Sequence, residues 1–306
     1  MRVLQSPLLW IAVAAVAAAA VLPWYVSAYV LGLLTVAYYF GVFSMSWDLL
    51  FGFAGEVNFG PTFLIGTGAY TSGILNAHGV PMYPAIACGA LASVVAGLIL
   101  AMPALRVRGP YFGLTTLVAV LMLQNFVVVF ADLTGGEIGL TIPDVLSIDA
   151  SVNYWIALGF MTISAIILFG LSRSPVGLVL QASGQDPVQA GALGFNIVKH
   201  KLAAFVVSAF FSGLAGALLV FYMGTASVGT VVDVAVGVQV IVAAVLGGRR
   251  TVLGAALGAI FLIVAGEFLR PTGQIATFIV STVALLVILF FPNGFLGTVL
   301  ARGTRA

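Results

Sequence analysis

Long apolar blocks separated by short polar ones run the length of the chain. Stretches able to cross a hydrocarbon core of ~30 Å fall at 8–26, 28–52, 61–78, 82–104, 111–131, 152–172, 202–223, 236–248, 252–269 and 275–291. The pattern predicts an all-α integral membrane protein of about ten helices, with residues 1–306 forming one transmembrane domain. Only a glycine-rich break parts the second run from the third, and the eighth run is short, so eight or nine full crossings also fit. The first run follows Met1-Arg2 and reaches Pro23-Trp24 without a clear cleavage site. That favours an uncleaved first span over a signal peptide.

The basic residues set the orientation. With ten crossings and the N-terminus inside, Arg2, Arg106, Arg108, Arg173, Lys199, Lys201, Arg249, Arg250, Arg302 and Arg305 are all cytoplasmic, and only Arg270 lies outside. Cytoplasmic loops of membrane proteins carry such an excess. The acidic loop with Asp132, Glu137, Asp144 and Asp149 then faces outward, and both termini are expected in the cytoplasm.

Composition agrees. Hydrophobic residues make up 62% and charged residues 7%, too little charge to cover a soluble surface of this size. A net charge of +2 gives no reason to expect nucleic acid as a partner. Cys88 has no second cysteine to pair with, and its apolar neighbours predict a buried thiol. Ala204, Ser208, Ser212 and Gly216, and again Gly254 and Gly258, recur at helical spacing, which lets helix backbones approach closely in lipid. Two arginine-bearing turns followed by Gly-x-x-x-Gly (Arg106–Gly113 and Arg249–Gly258) point to an internal repeat.

The segment 173–201 is the longest polar excursion on the cytoplasmic side. Asp186-Pro187-Val188-Gln189 supplies an N-cap acceptor, a proline at the first helical position and a Gln at the third, the pattern of a capping box. Gly194 supplies the stop, so a helix over 187–193 is expected. Ser174-Pro175 and Gly184 frame a second short helix, with Val176, Val179 and Leu180 on one face. Helices this short are unstable alone. They pack on the membrane interface or the bundle, or they fit a groove on another protein. Few charges and many small residues (Ala182, Gly184, Ala190, Gly191, Ala192) suit a protein groove, whereas anionic lipid would call for Lys and Arg.

Polar groups inside spans are candidates for a solute path. Asp48 and Glu56 flank the break from Gly52 to Pro61, where Asn58 and Pro61 are placed to cap a new helix. A helix that starts near mid-membrane attracts a carboxylate. Alternatively, Asp48 and Glu56 snorkel to the cytoplasmic edge and only cap helices. Gln124 and Asn125 lie inside the fifth span and either line a channel or bond a neighbouring helix. Asp233 and Glu267 fall near the outer face, to meet an extracellular binding protein or to be solvated.

No catalytic constellation appears. Neither lysine fits a P-loop, because Lys199 precedes His200 and Lys201 precedes Leu202. ATP hydrolysis, where used, then comes from another polypeptide. His78 and His200 fall at opposite membrane faces and cannot share a metal, there is no H-E-x-x-H, and the cysteine lacks a paired histidine. No metal site is expected.

Taken in order, these residues resemble the inner-membrane permease subunits of branched-chain amino acid (leucine, isoleucine, valine) ABC importers, nearly end to end. Ser46-Trp47-Asp48-Leu49-Leu50-Phe51-Gly52-Phe53-Ala54-Gly55, Asn58-Phe59-Gly60 and Gly68-Ala69-Tyr70 look like the family's early signature. Arg108-Gly109-Pro110-Tyr111-Phe112 and Leu133-Thr134-Gly135-Gly136 follow. Ser174-Pro175-x-Gly177, Ala190, Leu193-Gly194-x-Asn196 and Lys201-Leu202-x-Ala204-Phe205 are similar to its cytoplasmic loop. Leu214-Ala215-Gly216-Ala217-Leu218 and Gly247-Gly248 through Gly258-Ala259 complete the match. The chain departs from the family pattern at Leu178, where an Arg is usual, and at Ser183-Gly184-Gln185-Asp186, where a charged run is usual.

The resemblance implies a bundle like the type II importers and a coupling segment over 173–201, with Ser174, Pro175, Gly177, Asp186, Pro187, Gln189, Ala190, Leu193, Gly194 and Asn196 as its elements. It implies a solute path whose candidates are Trp47, Asp48, Glu56, Asn58, Phe59, Tyr70, Gln124 and Asn125, and contacts of Asp233 and Glu267 with a substrate-binding protein. The implied partners are two ABC ATPase subunits, a second and related permease chain, a periplasmic or extracellular binding protein and membrane lipid. No cofactor is expected in this chain, since ATP and Mg would sit on the ATPases. The expected location is the bacterial inner membrane and the expected cargo a branched-chain or related small amino acid. Urea, short amides and other small solutes are the alternative. A stand-alone ion-coupled transporter using Asp48 and Glu56 as relay groups is the competing reading, and the scarcity of embedded charge argues against it.

Overall fold

A backbone crossing lipid must satisfy its own amides, which it does by coiling into helices. The computed structural model describes residues 7–105, 110–270 and 282. In chain order the helices are α1 Pro7–Val21, with a 3-10 turn at Leu22–Trp24, α2 Ala28–Asp48, continued by a π-helical turn at Leu49–Phe53, α3 Pro61–Ala77, α4 Met82–Ala104 and α5 Pro110–Val129. There follow α6 Ala131–Thr134, α7 Ala150–Arg173, α8 Pro175–Gln185, α9 Pro187–Ala192, α10 Ile197–Met223, α11 Val228–Val231, α12 Val234–Gly247 and α13 Val252–Leu269. Two short strands, β1 Leu140–Thr141 and β2 Thr225–Ala226, pair antiparallel with Leu140 opposite Ala226.

Each of the first nine predicted spans falls on a helix, and the tenth, 275–291, lies outside the described residues. Among the described residues, seven helical stretches are long and apolar enough to cross a membrane. The α3 helix misses that length because it starts inside the bundle rather than at its end.

Small residues decide which helices meet. At the centre, α3, α4 and α10 touch through backbone: a Cβ on Gly68 would lie 2.3 Å from the Gly213 carbonyl oxygen, and one on Gly213 2.2 Å from Ser93 Cβ. The Ser93 hydroxyl sits 2.9 Å from both the Leu64 and Ala209 carbonyl oxygens, tying all three helices. The expected stripe on α10 is buried, with Ser208 donating to the Ser46 carbonyl of α2 at 2.8 Å. The other stripe closes α13 on α12, where a Cβ on Gly258 would meet the Ala243 oxygen at 2.1 Å. Around this centre α2 packs against α7, α10, α12 and α13 and buries Tyr39, Phe43, Met45 and Trp47.

Charge divides the bundle into two ends. Arg173, Lys199, Lys201, Arg249 and Arg250 gather at the end that carries α8, α9 and the α12–α13 turn. Arg270 lies at the other end, with Asp132, Glu137, Asp144, Asp149, Asp233 and Glu267. Arg2, Arg106, Arg108, Arg302 and Arg305 lie outside the described residues, as do both termini. Cys88 corrects an expectation: it is exposed on the outside of α4. In a membrane helix apolar neighbours mark the lipid face as readily as the core.

Because Gly213 faces the short, pinned Ser93 side chain, Gly213→Val should overpack the centre and cost about 1–3 kcal/mol. Gly159, on α7, has no atom within 4 Å of a built Cβ, so Gly159→Ala should leave stability level or higher. Thermal unfolding of the detergent-solubilised protein checks both, and equal midpoints for the two variants would refute this packing.

Candidate functional site

The candidate path residues converge on the break between α2 and α3. After Asp48 the helix widens: Ala54 N–H bonds the Leu49 carbonyl at 3.3 Å and Glu56 N–H bonds Leu50 at 3.0 Å. Gly55, at φ +74°, then turns the chain into an extended stretch. Side chains and neighbours supply hydrogen bonds to part of that stretch. Trp47 Nε1–H donates to the Asn58 carbonyl at 2.6 Å, Asn58 Oδ1 accepts from Gly60 N–H at 2.8 Å, and Thr116 Oγ1 of α5 accepts from Phe59 N–H at 3.0 Å. Asn58 thus closes a turn one residue before the helix instead of capping it, and Gly60 occupies the N-cap with Pro61 at the first helical position. A Cβ on Gly60 would lie 2.4 Å from the Thr116 oxygen, which puts the start of α3 about 9 Å into the bundle along α5.

Asp48 is fully buried against the α12–α13 turn: its Oδ1 accepts from Arg250 N–H at 3.1 Å, and its Oδ2 has no hydrogen-bond partner among the described residues. Arg250 also donates through Nε to the Gly52 carbonyl at 2.9 Å, and these two bonds hold it at φ +63°, a conformation uncommon outside glycine. Gly52 leaves room for both partners, since a Cβ there would sit 2.3 Å from Asp48 Oδ1. The Arg249 guanidinium lies over the Phe51 ring at 4.4 Å, and Phe51 stacks on Trp47 at 4.7 Å. Glu56 forms an ion pair with Lys201 at the start of α10. The break is therefore tied to the α12–α13 turn and to α10.

The segment 173–201 reaches the same place. Ser174 Oγ accepts from Gly177 N–H at 3.3 Å and caps α8, and a Cβ on Gly177 would lie 2.4 Å from the Leu171 and Ser172 oxygens, so α8 folds back on the end of α7. Leu180 is buried, Val179 half-buried and Val176 exposed, so the expected apolar face holds only in part. Gly184 does not end α8, which runs on to Gln185. Its missing side chain serves contact instead: a Cβ on Gly184 would lie 2.6 Å from the Phe53 oxygen, and one on Gly55 2.9 Å from Gly184 Cα. Backbone meets backbone there.

Asp186 caps α9 by accepting from Val188 and Gln189 N–H at 2.9 and 3.0 Å. The Gln half of the expected capping box has no donor to reach, because the Asp186 N–H already bonds Ala182. Gly194, at φ +88°, stops α9, and Asn196 caps α10 by accepting from Lys199 N–H at 3.0 Å. Ala190 is buried, whereas Leu178, Val188, Leu193 and Val198 stand exposed.

The remaining candidates lie apart. Tyr70 is buried in α3 with an unpartnered hydroxyl, and Gln124 and Asn125 sit on the outer side of α5. Asp233 caps α12, accepting from Ala235 N–H at 2.7 Å, and Glu267 accepts from Tyr29 and Arg270. His78 and His200 bond carbonyls at opposite ends, and no metal-holding cluster occurs among the described residues. Arg249, Arg250 and the Gly55–Gly184 contact were not foreseen as parts of the site. The signal was the arginine pair after Gly247-Gly248, but no spacing rule reaches across 202 residues.

The family described as "Branched-chain amino acid transport system / permease component" matches residues 29–292. A permease protein of the high-affinity branched-chain amino acid transport system of Salmonella typhimurium, LivM, is 25% identical, covering 90% of this chain and 71% of that protein. BraD, the corresponding permease protein of Pseudomonas aeruginosa, is 26% identical over 86% of this chain and 93% of its own. The ribose import permease protein RbsC of Haemophilus influenzae is 27% identical over 49% of each. No solved structure matches. The broken α2–α3 pair and the capped segment after α7 are thus features of a chain that belongs to the branched-chain amino acid transport permease family.

Proposed function

We propose that this chain is the non-catalytic membrane subunit of an ABC importer for branched-chain or related small amino acids, with 1–306 working as one permease domain. Two ATPase subunits, which hold the ATP and Mg, dock on 173–201, and a second permease completes the path. The family match and the names of the relatives support the cargo and the assembly. The excess of Arg and Lys at one end supports placing that end in the cytoplasm of a bacterial inner membrane. A binding protein then meets the acidic end, where Asp233 and Glu267 lie.

The observation that carries the reading is the seat of Gly184 on Gly55. A rigid, doubly capped segment exposes an apolar tip at Val188 and Leu193 on one side and touches the broken helix with bare backbone on the other. A push on the tip is therefore delivered to the break, where Asp48, Arg250 and the Glu56–Lys201 pair pass it to α13 and α10.

Leu193→Asp, at a position 74% exposed, should leave the permease folded and cut ATPase co-purification about tenfold, as loss of a buried apolar anchor does. Unchanged recovery of the ATPases would refute docking at this tip. Gly184→Val should act differently, retaining the ATPases but lowering ATP-driven uptake in proteoliposomes by at least about tenfold, since the joint cannot close around a side chain. Uptake at the parental rate would refute transmission through this contact.

A further inference from the structure

The acidic end also carries an apolar feature. Residues 135–149 form a strap from α6 to α7 that runs over the ends of α3 and α10. Leu140 and Thr141 pair with β2 just past α10, Ile142 N–H bonds the Gly224 carbonyl at 3.0 Å, and Leu146 N–H bonds the Phe221 carbonyl at 3.3 Å. Asn76, near the end of α3, holds Asp144 twice: its Nδ2 donates to Oδ2 at 2.7 Å and its Oδ1 accepts from the Asp144 N–H at 3.1 Å. Asn153 of α7 donates to the Ser147 carbonyl at 2.8 Å. Ile142 is buried over Gly73 of α3. The strap is a fixed part of the bundle.

Two of its isoleucines stay out of that packing. Ile138 is 97% exposed and Ile148 98%, the two most exposed large apolar side chains among the described residues. The backbone holds both there. Gly135, Gly136 and Gly139 lie at positive φ, and Gly139 N–H closes a turn onto the Gly135 carbonyl at 3.2 Å, with Ile138 inside the turn. Ile148 stands between Ser147, held by Asn153, and Asp149, which caps α7 by accepting from Ser151 N–H at 2.7 Å.

Lipid does not account for this exposure. Trp155 of α7 packs against Trp24 at 5.8 Å between ring centroids, and both are exposed, as tryptophans at a membrane surface are. Trp155 lies six residues into the helix from its cap at Asp149, so Ile148 stands about 9 Å further out, on the water side. Ile138 follows the exposed Glu137, and the exposed Asp149 follows Ile148, carboxylates that hydrocarbon would penalise. A stiff backbone that offers an apolar side chain to water has a low ordering cost on binding.

We infer that Ile138 and Ile148 are the anchors by which the substrate-binding protein grips this permease, each entering an apolar socket with a basic rim. This rests on the importer reading above and adds the chemistry of the contact. The basic rim answers the carboxylates of Asp132, Glu137, Asp144 and Asp149 on and beside the strap. Asp233 and Glu267 contribute less, because each already serves its own chain, Asp233 as the cap of α12 and Glu267 as acceptor from Tyr29 and Arg270.

The test uses the whole transporter in nanodiscs and the purified binding protein of the same system, loaded with leucine. Ile138→Ser and Ile148→Ser should each weaken binding about tenfold, the loss that follows removal of a buried isoleucine anchor. In proteoliposomes each should raise the half-saturating concentration of binding protein by the same factor and keep the maximal uptake rate, a split that a merely misshapen strap would not give. Parental affinity in both variants would overturn the inference, and so would a lower maximal rate with affinity unchanged. A nitroxide on Ile148→Cys, in a Cys88→Ser background, should be reached more readily by a water-soluble nickel chelate than by oxygen; the reverse order puts the side chain in lipid and also overturns it. A parental transporter that neither binds that protein nor takes up leucine removes the importer reading and this inference with it, whereas parental binding kept by both serine variants removes this inference alone.

Discussion

A backbone that leaves the helix inside a membrane must find every hydrogen bond in the protein around it, and this requirement shapes the centre of the molecule. Between Phe53 and Pro61 the chain is not α-helical. Trp47, Asn58 and Thr116 supply partners to the second half of that stretch, and the turn before it is widened rather than broken outright. Much of the local architecture follows. Gly60 and Gly113 have no side chains so that the extended strand can lie on α5. Gly52 has none so that Asp48 and Arg250 can meet.

The same stretch links function to packing. π-helical turns often mark functional positions, and here the turn and the stretch after it collect contacts from three sequence-distant elements: α8 through Gly184, α10 through Lys201, and the α12–α13 turn through Arg250. A rigid core transmits displacement because it has few loose contacts to absorb it. The close helix pairs, Gly68 on Gly213 and Gly254 on Gly247, leave no slack within the α3–α4–α10 centre or within the α12–α13 hairpin.

The sequence made the helices legible and the site partly so. Runs at 82–104 and 252–269 coincide with α4 and α13 because hydropathy and helix length respond to the same bilayer thickness. The caps at Ser174 and Asp186 and the stop at Gly194 were readable because each acts within three or four residues. What could not be read depends on distant partners. Burial of Asp48 requires Arg250, Gly184 continues its helix because Gly55 needs the space, and Cys88 faces outward because α4 happens to present that side. Where no stripe of small residues marks it, as one does on α10, local pattern does not tell which face of an apolar helix is turned inward.

The two links between the inner segment and the break differ in kind. Glu56 and Lys201 meet as charges whose side chains remain 17% and 13% exposed, so dissolved ions reach the pair and screen its attraction in small part. Gly55 and Gly184 meet as uncharged backbone, at a separation fixed by atomic radii. That joint is indifferent to salt and acidity, so the mechanical linkage through it does not share even the modest ionic sensitivity of its electrostatic neighbour.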